Sequence, residues 1–134
     1  MALCLEWLPE SKGIVTGSAN HSISLWSPDT LELLCSDTLL HTGYVRAVAC
    51  SPDGEQVASG GSDMVICIRR VTSSPVLFAP GGKHLVGHSS WVRWIHFTRD
   101  NKRLISGSDD QTVMVWDTRT GASMQTLRAH SHTV

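Results

Sequence analysis

His41 and Asp63 stand 22 residues apart, and so do His88 and Asp110. A His–Asp spacing kept in two stretches of otherwise different sequence points to one local structure used twice. Three longer segments then fall into register. Residues 14–26 read IVTGSANHSISLW, residues 57–69 read VASGGSDMVICIR, and residues 104–116 read LISGSDDQTVMVW, displaced by 43 and then by 47 positions. The approaches to them keep the same offsets: LEWLPES from Leu5, VACSPDG from Val48 and IHFTRDN from Ile95. The longer second interval gains its extra residues between Val71 and His88. There TSSPVLFAPGGK carries prolines and a glycine pair and predicts a loop insertion.

Each segment reads as strand, turn, strand. Ile14-Val15-Thr16 and Ile23-Ser24-Leu25-Trp26 flank the turn residues Gly17-Ser18-Ala19-Asn20. In the third copy Leu104-Ile105-Ser106 and Val113-Met114-Val115-Trp116 flank a turn from Gly107 to Gln111. The pairs Val113/Val115 and Ile66/Ile68 alternate with period two, as half-buried strands do. Gly, Ser, Asn and Asp build the turns because they tolerate positive φ or bond their own backbone, and Ser51-Pro52-Asp53-Gly54 is a turn by the same chemistry. Gly60-Gly61 and Gly81-Gly82 read as turn glycines. A fourth strand is expected after each Trp position, at residues 31–35, within 76–86, and at 122–127. The prediction is an all-β chain of about twelve strands in consecutive antiparallel meanders. A repeat of about 40–45 residues with four strands per unit is the mark of propeller blades.

The chain has 134 residues, a formal charge of −1 and 41% hydrophobic residues. That is enough for a real core and gives no long-range attraction for nucleic acid or an anionic membrane. No apolar run reaches the roughly 20 residues that span a bilayer. The first ten residues lack a basic start and are interrupted by Glu6, so no signal peptide is read. Cys4, Cys35, Cys50 and Cys67 form no CxxC pair, and each lies in an apolar run, as buried thiols of a reducing compartment do. Asn20-His21-Ser22 matches a glycosylation acceptor but lacks a secretory context, and His21 reads as a solvated turn residue.

Gly87-His88, then Ser106, Asp110 and Trp116-Asp117, together with the SPDG turn, resemble the WD-repeat β-propeller family. The resemblance covers essentially the whole chain, because three copies lie in register. It implies one buried hydrogen-bond network per blade. The third blade would use His88, Ser106, Asp110 and Trp116. The second would use His41, Ser59 and Asp63, with Arg69 where Trp is expected. The first would use Thr16, Asn20 and Trp26, its His falling before Met1, while His130 would belong to a fourth blade. On this reading one network is complete and two are degraded, and blades 1 and 2 are expected to be the less stable. The blades are expected at about residues 1–40, 41–86 and 87–134. Three sheets leave the ring unclosed, so either further blades of a longer protein or a second copy of the chain is expected to complete it. Trp7 and Trp94, in inner strands, are expected in the core or between blades.

The segment from His41 to Arg46 matches that from His88 to Arg93 position by position, giving Tyr44 with Trp91 and Arg46 with Arg93. The resemblance places such residues on the rim of the upper face, where partner segments dock. Tyr, Trp and Arg are also the types that dominate interface hot spots. Tyr44, Arg46, Trp91 and Arg93 are therefore the expected partner-binding residues, with Val45 and Val92 turned into the core. The alternative is that Tyr44 and Trp91 merely cover the inner strands.

Ser106, His88 and Asp110 invite comparison with a hydrolase triad. The set recurs as Ser59, His41 and Asp63, and a catalytic site has no reason to recur at blade spacing. No GxSxG elbow marks the serine and no glycine-rich phosphate loop is present. His130 and His132 supply too few ligands for a structural metal. The sequence thus predicts no catalytic residues, no metal and no cofactor. It predicts a non-catalytic scaffold for protein partners, in the cytoplasm or the nucleus. The alternatives are a regulatory WD-repeat tail of a larger signalling NTPase and, last, a propeller hydrolase or lyase.

Overall fold

A computed structural model describes residues 1–128, so His130 and His132 lie outside the described residues. The described residues form twelve strands and one 3₁₀ turn at Pro9–Ser11. The first sheet is β1 (Ala2–Leu8), β2 (Gly13–Ser18), β3 (Ile23–Trp26) and β4 (Leu33–Asp37). The second is β5 (Val45–Cys50), β6 (Gln56–Gly61), β7 (Val65–Arg70) and β8 (Lys83–Val86). The third is β9 (Val92–Phe97), β10 (Arg103–Ser108), β11 (Val113–Asp117) and β12 (Ser123–Leu127). Within each sheet the strands are antiparallel and follow chain order, so every sheet is a meander.

The repeated turn chemistry gives repeated backbone. His21, Met64 and Gln111 occupy the same hairpin position and hold φ of 71°, 67° and 68°. Ser11, Gly54 and Asn101 share a second left-handed position, at 55°, 71° and 61°. The fourth strand of the first sheet begins two residues later than expected. Leu31, at φ 58°, closes a turn in which its N–H donates to the Ser27 carbonyl, and pairing resumes only at Leu33. The insertion in the second repeat is a loop, closed on itself by an isolated bridge between Val71 and Phe78 and joined to β7 by the Ala79 N–H, which donates to the Arg70 carbonyl.

The three sheets stack face to face. β1 and β2 of the first pack on β5, while β5 and β6 of the second pack on β9. The second sheet is therefore covered on both sides, and Val57 to Gly61 of β6 are buried without alternation. One core lies between the first and second sheets, around Leu8, Val15, Ile23, Leu25, Val48 and Val57. The other lies between the second and third, around Ile66, Ile68, Leu85, Ile95, Leu104 and Trp116. The ring is not closed by this chain.

Trp7 and Trp94 are 54% and 50% exposed and belong to neither core, so the core half of the expectation fails, while each lies on a sheet face left open by this chain. Trp7 lies on the face of the first sheet that points away from the second. Trp94 lies on the far face of the third sheet, stacked on His96 at 5.8 Å. Its facing follows from a β-bulge. Val92 pairs with Ser108 and Trp94 with Gly107, so Arg93 is an extra residue and the alternation reverses there. Val92 is buried, Trp94 turns outward and Ile95 is buried again.

The same bulge recurs in every sheet, at Leu3, Arg46 and Arg93. Beside it the sheets approach closely. A Cβ on Gly17 would meet Val45 Cγ1 at 2.5 Å, and one on Gly60 would meet Val92 Cγ1 at 2.8 Å and Ile95 Cδ1 at 2.7 Å. The two inter-sheet seams thus use one Gly–Val contact each, at equivalent positions. Overpacking a filled core costs about 1–3 kcal/mol. Gly60→Ala should therefore destabilise the chain by about that amount, read as a lowered midpoint of urea unfolding.

Candidate functional site

The third copy holds a closed relay of buried polar groups. Trp116 Nε1–H donates to Ser106 Oγ at 2.8 Å, and Ser106 Oγ lies 2.7 Å from His88 Nε2. His88 Nδ1 lies 2.8 Å from Asp110 Oδ2. Donors and acceptors balance when Ser106 donates to Nε2 and the imidazole Nδ1–H donates to the carboxylate. Asp110 also accepts from the Ser89 N–H at 3.0 Å, and from the N–H and hydroxyl of Thr112 at 2.9 and 2.5 Å. Burial acts to raise the Asp110 pKa. The bonds from Thr112, Ser89 and His88 outweigh it and hold the carboxyl at about 2.

The second copy keeps two links. His41 Nε2 lies 2.8 Å from Ser59 Oγ, and its Nδ1 lies 2.8 Å from Asp63 Oδ2, which also accepts from the Thr42 N–H at 3.1 Å. Val65 stands where the third copy has Thr112, so no hydroxyl reaches Asp63. Burial opposes ionisation of Asp63, but His41 and the Thr42 and Val65 amides hold its pKa below the usual value. In the first copy Trp26 Nε1–H donates to Thr16 Oγ1 at 2.9 Å, while the Asn20 side chain accepts from the N–H and hydroxyl of Ser22.

Arg69 does not supply the missing link of the second network but bonds elsewhere. Its Nε and Nη2 donate to the Ala79 carbonyl of the inserted loop at 3.2 and 2.7 Å. Its Nη1 pairs with Asp37 of β4, and its guanidinium lies 5.8 Å from the Phe78 ring. The position that binds Ser106 through Trp116 in the third sheet instead fastens a loop and the neighbouring sheet in the second. Sequence spacing alone showed only a missing Trp.

Ser106, His88 and Asp110 have the distances of a hydrolase triad, yet Ser106 is fully buried and its oxygen is capped by the Trp116 indole. No substrate carbonyl can approach it. Burial raises the thiol pKa of Cys4 to about 11 and those of Cys50 and Cys67 to about 12, so these cysteines stay protonated and unreactive near neutrality. Among the described residues no group of three or more His, Cys, Asp or Glu is placed to hold a metal ion.

Tyr44, Arg46, Trp91 and Arg93 are brought together. Arg46 lies 5.6 Å from the Tyr44 ring and 4.6 Å from the Trp91 ring. Arg93 lies 4.9 Å from the same Trp91 ring. Tyr44 is 47% and Trp91 41% exposed, whereas Val45 and Val92 are buried. The bulges are what turn Arg46 and Arg93 out of their strands beside these rings. Two further members were not legible as such. Asp109 accepts from Arg93 Nε at 2.8 Å and Nη2 at 2.6 Å, a two-point pair whose hydrogen bonds and charge raise the guanidinium pKa. His21, half-buried rather than solvated, sits 6.0 Å from Tyr44. The result is a continuous ladder across all three sheets: His21, Tyr44, Arg46, Trp91, Arg93, Asp109.

The family model described as WD domain, G-beta repeat matches residues 2–27, 34–69 and 80–117. The chain is 33% identical over 120 residues to a guanine nucleotide-binding protein subunit beta of Zea mays, covering 87% of this chain and 31% of that protein. It is 31% identical over 141 residues to a chromatin assembly factor 1 subunit FAS2 homolog of Oryza sativa subsp. japonica, covering 98% of this chain and 28% of that protein. Among solved structures it resembles the RRP9 WD40 repeats, with a TM-score of 0.88 and 26% identity over 99% of this chain and 40% of that one. The chain spans under a third of the length of these two curated relatives.

The low pKa of Asp110 sets a sign for the pH dependence. In the unfolded chain this carboxyl takes up its proton near its ordinary value of 3.8, and in the fold only near 2. The unfolded state therefore binds more protons in between, and stability falls as pH drops from about 5 towards 2. Asp110→Asn should lower stability at neutral pH and flatten this acid limb, measured as urea midpoints between pH 2 and 6.

Proposed function

The chain belongs to the WD-repeat family, and from that premise we propose a non-catalytic scaffold that presents the rim of its stacked sheets to partner proteins. The observation that supports it best is the ladder from His21 to Asp109. Rings and guanidinium groups alternate there on a surface assembled from three separate sheets. Aromatic and Arg side chains held rigidly by neighbours lose little freedom on binding, which is why they dominate contact energies. Both curated relatives are named as subunits of larger assemblies, which agrees with a role in protein complexes. The buried Ser106 and the protonated thiols give no support to a hydrolase reading. The three blades, at about residues 1–40, 41–86 and 87–134, act on this reading as the rigid support. Four unpaired cysteines suit a reducing compartment, the cytoplasm or the nucleus.

Trp91 and Arg93 touch each other and Asp109 but belong to neither core. Replacing both by Ala should weaken a partner isolated with the wild-type chain at least tenfold, while the melting temperature changes by only a few degrees. Binding that survives the double substitution would remove the rim from the account.

A further inference from the structure

The two equivalent arginines of the rim differ in one respect. Arg93 is neutralised by Asp109, whereas the side chain of Arg46 makes no ion pair and no hydrogen bond among the described residues. Its Nε is buried without a partner. The position equivalent to Asp109 in the second sheet is Ser62, whose hydroxyl is occupied by the Tyr44 N–H at 2.8 Å. The third sheet therefore carries its own carboxylate for its rim arginine, and the second does not.

The Arg46 guanidinium lies against the Tyr44 and Trp91 rings, and its unused bonding capacity is in its N–H groups. A guanidinium edge is matched by a planar carboxylate that takes two parallel bonds. The Arg93–Asp109 pair shows that geometry on this same rim. With Arg93 and Asp109 cancelling, Arg46 leaves the ladder one uncompensated positive charge. The flanking half-exposed rings offer apolar walls to the neighbours of an incoming acidic side chain.

We propose that Arg46, between Tyr44 and Trp91, binds the carboxylate of an Asp or Glu in an exposed segment of a partner protein. The assignment deepens the scaffold reading and rests on it. An acidic residue there completes the second sheet's rim as Asp109 completes the third. It also satisfies the buried Nε or its neighbouring Nη groups in a site already half desolvated, where a charged hydrogen bond is strongest.

The test is to pan a random heptapeptide phage library on the purified chain and measure the selected peptides, as labelled synthetic copies, by fluorescence anisotropy. The expected winners carry Asp or Glu at one fixed position and bind more weakly as salt rises. Arg46→Gln should lower their affinity at least tenfold. Ser62→Asp, which supplies the missing carboxylate from within, should do the same while keeping the fold, because the third sheet already holds Asp at this position. Winners without a carboxylate, an empty selection, or wild-type binding by the Ser62→Asp variant would overturn the assignment. If such non-acidic winners still lose affinity in the Trp91/Arg93 double variant, the scaffold reading stands and only the acidic partner falls. If they do not, both fall.

Discussion

The rest of the structure depends on a bond between an imidazole and a carboxylate that are 22 residues apart, His41 with Asp63 and His88 with Asp110. Each bond ties the segment entering a sheet's first strand to the hairpin turn between its second and third strands. Neither segment has regular backbone pairing of its own at that point. The carboxylate also takes the N–H of the residue after the histidine, so side chain and backbone are fixed together. Three residues further on come Tyr44 and Trp91, and after one more valine the bulged Arg46 and Arg93. The clasp thus sets the direction in which the rim leaves the core, and the bulge sets which side chain faces out.

The three copies have kept this device unequally, and the differences carry more information than the likeness. The third copy is complete and adds Thr112 to its carboxylate. The second gives up the Trp, and the guanidinium in its place bonds a loop carbonyl and a carboxylate of the first sheet. A cation replaces an indole without leaving an unpaired charge, because Asp37 and Ala79 accept from it. Loss of the repeat pattern at residue 69 is thus a change of partner. On the rim the comparison runs the other way. Arg46 lost, or never had, the carboxylate that Arg93 keeps, and nothing within the described residues replaces it. Among the described residues two buried side-chain polar atoms lack a partner, Arg46 Nε and Gln56 Oε1, and of these Arg46 belongs to the rim.

Most of the architecture was legible because the repeat is redundant. Three aligned segments fix strand order, turn positions and the His–Asp pairs without any need for high local propensity. The insertion after Val71 showed itself through its prolines and glycines. What could not be read was whatever depends on a neighbouring strand or sheet. A bulge adds a residue that the one-dimensional pattern cannot distinguish from the next in the alternation, so the facing of Trp94 is not legible in it. The exposure of Trp7 likewise depends on its face having no sheet against it among the described residues, which its own strand does not record. The ligands of Arg69 lie 10 and 32 residues away, with no motif linking them. Asp109 could have been found from the alignment, by asking what replaces it in the second copy.

The central claim is that the His–Asp clasp holds the rim in place. Amide hydrogen exchange measures it at the bonds themselves, since the Ser89 N–H donates to Asp110 from an exposed residue. The account predicts slow exchange at Ser89 in the wild-type chain. In His88→Ala it predicts exchange at least tenfold faster at Ser89 and through the segment leading to Val92, with the second sheet's β6 and β7 unchanged. Equal protection of Ser89 in both proteins, or loss of protection spread evenly over all three sheets, would contradict it.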